Sequence, residues 1–210
     1  MLLRDGIDRH SNENSAAARA FSRLLLQSSG KCFSVNKVHQ YLRSRGMHVS
    51  KYTLHALLDH LEDAYLIHTV PVFTMSERVA ASNPRKVYAV DPGLAWAVSH
   101  AIATDLGARL ETAVFVELRR RCGRLAAGSI SYHITERGHE VDFVVGDPFE
   151  CRVSQLVQVC ASLADPATRE REIRALRSAM ASLGVRESTI VTMNDSESIE
   201  TDAGLIRVVP

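Results

Sequence analysis

No window of this sequence approaches the ~18 consecutive apolar residues that a membrane-crossing helix needs. The opening MLLRDGIDRH is charged within its first few residues and lacks the apolar core of a secretory signal. Four cysteines, at 32, 122, 151 and 160, are scattered with no CxxC pair, which argues against a zinc ribbon. Isolated thiols and no signal segment fit a reducing compartment, so the expected location is the cytoplasm and no membrane is expected as a partner. A phosphate-binding loop is also missing. The one Gly-Lys, Gly30-Lys31, runs into Cys32 where a Ser or Thr would have to reach Mg²⁺, and Leu25 stands where the earlier glycine belongs. ATP binding by these 210 residues is therefore not expected. Internal repeats and low-complexity stretches are lacking too.

What is present suits a folded protein of one or two domains: 46% hydrophobic and 23% charged residues over 210 positions. The net charge of +1 conceals an asymmetry. Residues 1–100 carry 12 Lys and Arg against 8 Asp and Glu, whereas residues 101–210 carry 13 against 16. The first half is mildly basic, and the acidic second half disfavours a broad phosphate-binding surface there unless metal ions intervene.

Hydrophobic spacing predicts helices over Ala16–Gln27 with Ser15 as N-cap, over Ser34–Arg45 ended by Gly46, and from Ser50 to about Ala64 with Leu54, Leu57, Leu58 and Leu61 on one stripe. Leu66–Phe73 and Lys86–Val90 read as two strands around a polar segment with an Asn83-Pro84 turn. Three helices followed by a hairpin is the layout of a winged helix. After Asp91-Pro92-Gly93 the pattern changes. Helices are predicted over Leu94–Ala103, Leu106–Cys122 and 166–183, and strands over Ile130–Ile134, Glu140–Val145, Gln155–Cys160, Ser188–Met193 and Leu205–Val209. The expectation is an α/β (overall α+β) chain: a winged helix-turn-helix domain with its N-terminal connecting segment over 1–95, then a mixed sheet flanked by helices over 96–210.

Alternation places Glu140, Asp142 and Val144 on one strand face, and Gln158 and Cys160 on one face of the next strand, with Val157 and Val159 turned to the core. Glu111 lies in the long helix upstream. A helical carboxylate, a strand carboxylate and a polar pair on the following strand is the layout of PD-(D/E)XK (restriction-endonuclease-like) nucleases, which hold Mg²⁺ with oxygen ligands and place a lysine near the attacking water. Here Gln158 stands where that pattern asks for Glu, and Cys160 where it asks for Lys. Glu111, Asp142, Gln158 and Cys160 therefore read as a degenerate site. No cofactor, metal or catalysis is expected, with Mg²⁺ entering only under the alternative of a metal-dependent nuclease acting on DNA. Glu140 and Asp142 also read as solvated edge carboxylates. In the first domain, Lys51, Tyr52 and Thr53 open the third helix, and Arg85 and Lys86 sit on the wing, which makes double-stranded DNA a candidate partner. Asp59, Glu62 and Asp63 make the far end of that helix acidic, so a protein partner is the competing reading, and self-association through apolar helices is a third. His55 and His60 are five apart, not the three or four that would pair them as ligands. His133 and His139 flank a turn, and Arg119, Arg120, Arg121 and Arg124 favour a helix C-terminus.

Taken in order, three segments resemble one family. Lys86-Val87-Tyr88-Ala89-Val90-Asp91-Pro92-Gly93-Leu94 fits a K-x-Y-x-x-D-x-G-L signature. It is followed by Leu110-Glu111-Thr112-Ala113-Val114-Phe115-Val116-Glu117-Leu118 and by Glu140-Val141-Asp142-Phe143-Val144. Together they look like the uncharacterised C-terminal domain of predicted AAA+ ATPases in bacteria and archaea. The opening Arg4–His10 is similar to the segment that joins that domain to the ATPase lid. The resemblance runs from residue 3 to about 193. It implies a winged helix followed by a nuclease-like domain, both serving an ATPase whose own module is missing from these residues. With Gln158 and Cys160 in place of the Glu and Lys of the nuclease pattern, the expected role is a non-catalytic recognition or interaction region serving such an ATPase.

Overall fold

The computed structural model describes residues 12–98, 106–122, 130–150 and 152–210. The expected connecting segment at Arg4–His10, and Arg124, lie outside them. Seven helices and two sheets make up the described residues, an α/β fold as expected. The chain divides into two units: residues 1–69 with 85–102, and residues 70–84 with 103–210. The expected boundary kept 70–84 in the first domain, whereas the contacts of that segment belong to the second unit.

The first unit contains α1 (Asn12–Gln27), β1 (Lys31–Phe33), α2 (Val35–Ser44), α3 (Lys51–Asp63), most of β2 (Ile67–Val70), β3 (Arg85–Ala89) and α5 (Pro92–Val98). Helix α1 begins before Ser15, which is therefore not its cap. Ser34 and Ser50 do cap α2 and α3. Their hydroxyl oxygens accept the Lys37 and Thr53 backbone N–H groups at 3.4 and 3.0 Å, which satisfies donors that a helix start leaves open. Leu54 and Leu61 are buried on the predicted α3 stripe, against Phe21, Leu25 and Leu42. Tyr65 ends the helix with φ 55°, a left-handed conformation uncommon without glycine. The hairpin gains a third strand, in the order β1-β3-β2. At three residues, β1 is too short to show a period in the sequence.

The second unit begins with residues 70–84, where Ser76 caps a short α4 (Glu77–Ser82) inside what reads as a polar loop. It continues with α6 (Leu106–Cys122), β4 (Ile130–Ile134), β5 (Glu140–Asp147), β6 (Arg152–Val159), α7 (Pro166–Leu183), β7 (Glu187–Val191), β8 (Glu197–Thr201) and β9 (Gly204–Val209). The six strands run in the order β4-β5-β6-β7-β9-β8. Pairing is parallel for β6/β7 and β7/β9 and antiparallel elsewhere, so the sheet is mixed. Helix α7 packs Ala175, Leu176, Ala179 and Met180 over one face, against Val141, Val144, Leu156 and Ile190. Phe115 of α6 meets Phe143, ring centroids 6.1 Å apart. The outer strand β4 is bonded along its free side by the segment before α4. Phe73 N–H donates to Tyr132 O at 2.7 Å, Tyr132 N–H donates to Pro71 O at 3.0 Å, and the buried Tyr132 hydroxyl donates to Pro84 O at 2.6 Å. An edge that would otherwise present open backbone groups is thus covered.

Candidate functional site

Strict alternation does not hold along β5. Its register against β4 shifts between Ser131 and His133, and this bulge turns both Val141 and Val144 into the core under α7. The expected common face of Glu140, Asp142 and Val144 is broken for that reason. On β6 the alternation survives: Leu156, Gln158 and Cys160 are all buried, Leu156 and Cys160 in the α7 core and Gln158 bonded to a residue of α7.

Beyond the Phe143–Val157 pair, side chains replace the backbone ladder between β5 and β6. Asp142 N–H donates to Gln158 Oε1 at 3.1 Å, and Val159 N–H donates to Asp142 Oδ2 at 3.0 Å. Gln158 Nε2 donates to Glu172 Oε2 on α7 at 2.7 Å. Glu172 is only 3% exposed, and its other oxygen accepts from Arg171 Nη2 at 2.5 Å. Gln158 thus has both ends of its amide engaged, and that assignment of oxygen and nitrogen is the one that satisfies both neighbours.

Around this network lies an open cleft of about 340 Å³ at one end of the sheet. Its lining includes Glu111 from α6, Glu140 and Asp142 from β5, Gln158 from β6 and Arg171 and Glu172 from α7. Three of the four degenerate-site residues, Glu111, Asp142 and Gln158, therefore come together. Cys160 does not line the cleft. It sits one residue past β6, buried in the core, and its N–H donates to Val191 O at 3.1 Å. Burial, then the nearby Glu172 and Asp195 carboxylates, push its thiol up to about 11, so it is protonated at neutral pH. Glu172 was not singled out from the sequence, although a signal existed. Glu172, Ala175, Leu176, Ala179 and Met180 form one helical stripe, and a carboxylate on an apolar stripe needs a buried partner.

Mg²⁺ requires near-octahedral oxygen ligands, usually carboxylates and waters. Of the carboxylates that line the cleft, Glu111 and Glu140 stand beside a set that is already engaged. One Asp142 oxygen is used by a backbone amide, Gln158 is neutral and doubly bonded, and Glu172 is held by Gln158 and Arg171. Among the described residues, no three His, Cys, Asp or Glu side chains form a metal-binding group.

In the first unit, Lys51, Tyr52 and Thr53 lie exposed at the N-terminal turn of α3, with Tyr52 83% exposed. Ser50 Oγ lies 2.8 Å from Thr53 Oγ1, so that hydroxyl takes part in the cap. Arg85 is exposed and its Nη1 donates to Thr69 Oγ1 at 3.3 Å. Lys86 cannot be a groove contact as expected, because it is 2% exposed: β3 is the middle strand, and both its faces are covered. Glu62, expected to leave the end of α3 acidic, accepts both the N–H and the hydroxyl of Thr69 at 2.9 Å.

Residues 1–106 match the family described as "Domain of unknown function (DUF8612)". The chain belongs to that family. The DUF8612 match covers all of the first unit, together with residues 70–84 and 103–106 of the second. The whole chain is 29% identical over 217 residues to "Uncharacterized protein MJ1544" of Methanocaldococcus jannaschii, and spans 46% of that protein's length. No solved structure matches. Among the described residues, no helix is long and apolar enough to cross a membrane.

Proposed function

We propose that this chain is a non-catalytic recognition region of a longer, ATPase-family protein. In this reading the first unit acts as a winged helix that meets duplex DNA through Lys51 and Tyr52, and the second is a nuclease-like scaffold. The observation that carries the non-catalytic part is the closed bonding of Gln158. A nuclease of this layout needs a free carboxylate at that position to hold a hard cation, whereas here a neutral amide joins Asp142 N–H to the buried Glu172. The exposed tip of α3 and the basic first half support DNA as the partner. The sequence resemblance supports the ATPase context, and the greater length of the archaeal relative leaves room for a further module.

The convergence of Glu111 and Asp142 on one cleft favours the second reading, a metal-dependent nuclease on DNA. Two assays on the whole chain separate them. Fluorescence anisotropy with a duplex oligonucleotide should show binding that weakens steeply with salt and is reduced by Lys51→Ala and Tyr52→Ala. Plasmid nicking with Mg²⁺ or Mn²⁺ should give no product. Nicking that disappears in Asp142→Ala would replace the first reading by the second. No DNA binding at low salt would make the partner of α3 a protein.

A further inference from the structure

A second groove, of about 560 Å³, lies beside the cleft and is lined by arginines from two elements. Arg174 and Arg177 stand three residues apart on α7, on neighbouring turns of one face. Arg137 comes from the turn between β4 and β5. That turn is fixed in place: the Thr135 carbonyl accepts Gly138 N–H at 2.8 Å, Thr135 Oγ1 accepts His139 N–H at 3.0 Å, and Gly138 adopts φ 79°. Arg137 has no ion-pair partner among the described residues. Arg177 meets Asp202 Oδ1 through Nε at 3.1 Å, and Arg174 meets Glu170 through Nη2, so each guanidinium is oriented with other N–H groups left over. Ser178 and Ser182 add hydroxyls from α7, and Glu136 and Asp202 place carboxylates among the lining.

We propose that this groove binds a phosphate monoester of a small hydroxylated molecule, such as a sugar phosphate. A monoester presents three terminal oxygens and close to two negative charges, which suits guanidinium groups supplied to one groove by two elements. The two carboxylates repel a second phosphate but accept hydrogen bonds from hydroxyls. They, with the acidic balance of residues 101–210, disfavour a continuous polyanionic strand. The groove shares no residue with Lys51–Thr53 or with the Gln158 network, and stands or falls without the function proposed above.

Calorimetric titration of the whole chain with glucose 6-phosphate, inorganic phosphate, glucose and a single-stranded oligonucleotide tests it. Glucose 6-phosphate should bind saturably, inorganic phosphate more weakly and glucose not at all. Arg174→Gln with Arg177→Gln should weaken the sugar phosphate about tenfold or more, and Arg137→Gln several-fold, since each removes charge-assisted hydrogen bonds. Thermal melts establish that these variants fold, and Arg174→Lys should retain part of the affinity. Absence of saturable sugar-phosphate binding, or binding unchanged in all the arginine variants, overturns the proposal. So does an oligonucleotide that binds more tightly and is lost in the same variants.

Discussion

The tip of α3 and the end of the β5–β6 ladder hold polar side chains in opposite states. At α3, Lys51 and Tyr52 stand in solvent, and the local hydrogen bonds are those that start the helix. At the ladder, Asp142, Gln158 and Glu172 are all buried and bond to one another and to backbone. A buried polar group must be satisfied internally or cost the desolvation of an orphan, whereas an exposed one is already satisfied by water and can exchange it for a partner. The difference teaches that polarity alone does not mark a site. The α3 tip is a surface available for binding, and the ladder network is part of what holds the second unit together.

The largest expected effect breaks that contrast at Gln158. Gln158→Glu sets a second buried carboxylate against Glu172 and deletes the donor between them, and should destabilise the protein by about 3 kcal/mol. The partner change Glu172→Gln restores a donor, so the double variant should recover much of the loss in denaturant titrations. A coupling energy near zero would show that the two side chains do not share the bond. Lys51→Ala and Tyr52→Ala, by contrast, should each leave stability within about 0.5 kcal/mol, as surface substitutions usually do.

Next in size is Tyr132. Its fully buried hydroxyl ties β4 to Pro84, so Tyr132→Phe should cost about 1–2 kcal/mol by leaving a carbonyl short of its donor. Hydrogen exchange should quicken at Phe73 N–H, which bonds the same residue's backbone. Unchanged exchange there would separate the hydroxyl from the covering of the edge. Ser50→Ala in the first unit should cost about 1 kcal/mol, the usual value of a lost N-cap, and should lower the proposed DNA binding only as far as the first turn of α3 frays.

Much of this fold was legible in the sequence where a period ran long enough to be read. Leu106–Cys122, Ile130–Ile134 and the helix over 166–183 have the predicted bounds. What escaped has local causes. β1 is three residues long, and β8 is a polar edge strand whose Glu197, Ser198 and Glu200 are exposed and show no core face. The site was legible in part. Strand order and helix placement bring Glu111, Asp142 and Gln158 to one cleft, as spacing suggested. The exclusion of Cys160 depends on where β6 ends, the burial of Lys86 on β3 being central, and the broken face of β5 on a bulge. Tertiary packing sets all three, and no window of sequence encodes them.

The smallest expected effect is a change in the slope of stability with pH, and it tests the rule behind the comparison at an exception among the described residues. His133 on β4 has both ring nitrogens buried without a hydrogen-bond partner, unlike the satisfied groups of the ladder network. Burial lowers its pKa, because the imidazolium would have to form away from water. In the unfolded chain the ring titrates near its ordinary value of about 6.5. Above that pH both states hold a neutral ring and His133 contributes no pH dependence. As pH falls through that value, the unfolded chain takes up the proton first. Stability is then lost progressively until the lower folded-state pKa is reached, below which the slope from this group vanishes. His133→Phe removes the titration, so the difference in unfolding free energy between wild type and variant should change between neutral and mildly acidic pH, with the variant gaining relative stability as pH falls. Because wild type and variant differ only at this position, the difference isolates this ring. A difference that stays flat from pH 7.5 to pH 5 would mean that His133 finds a hydrogen-bond partner or water in solution, as the polar groups of the ladder network find theirs within the fold.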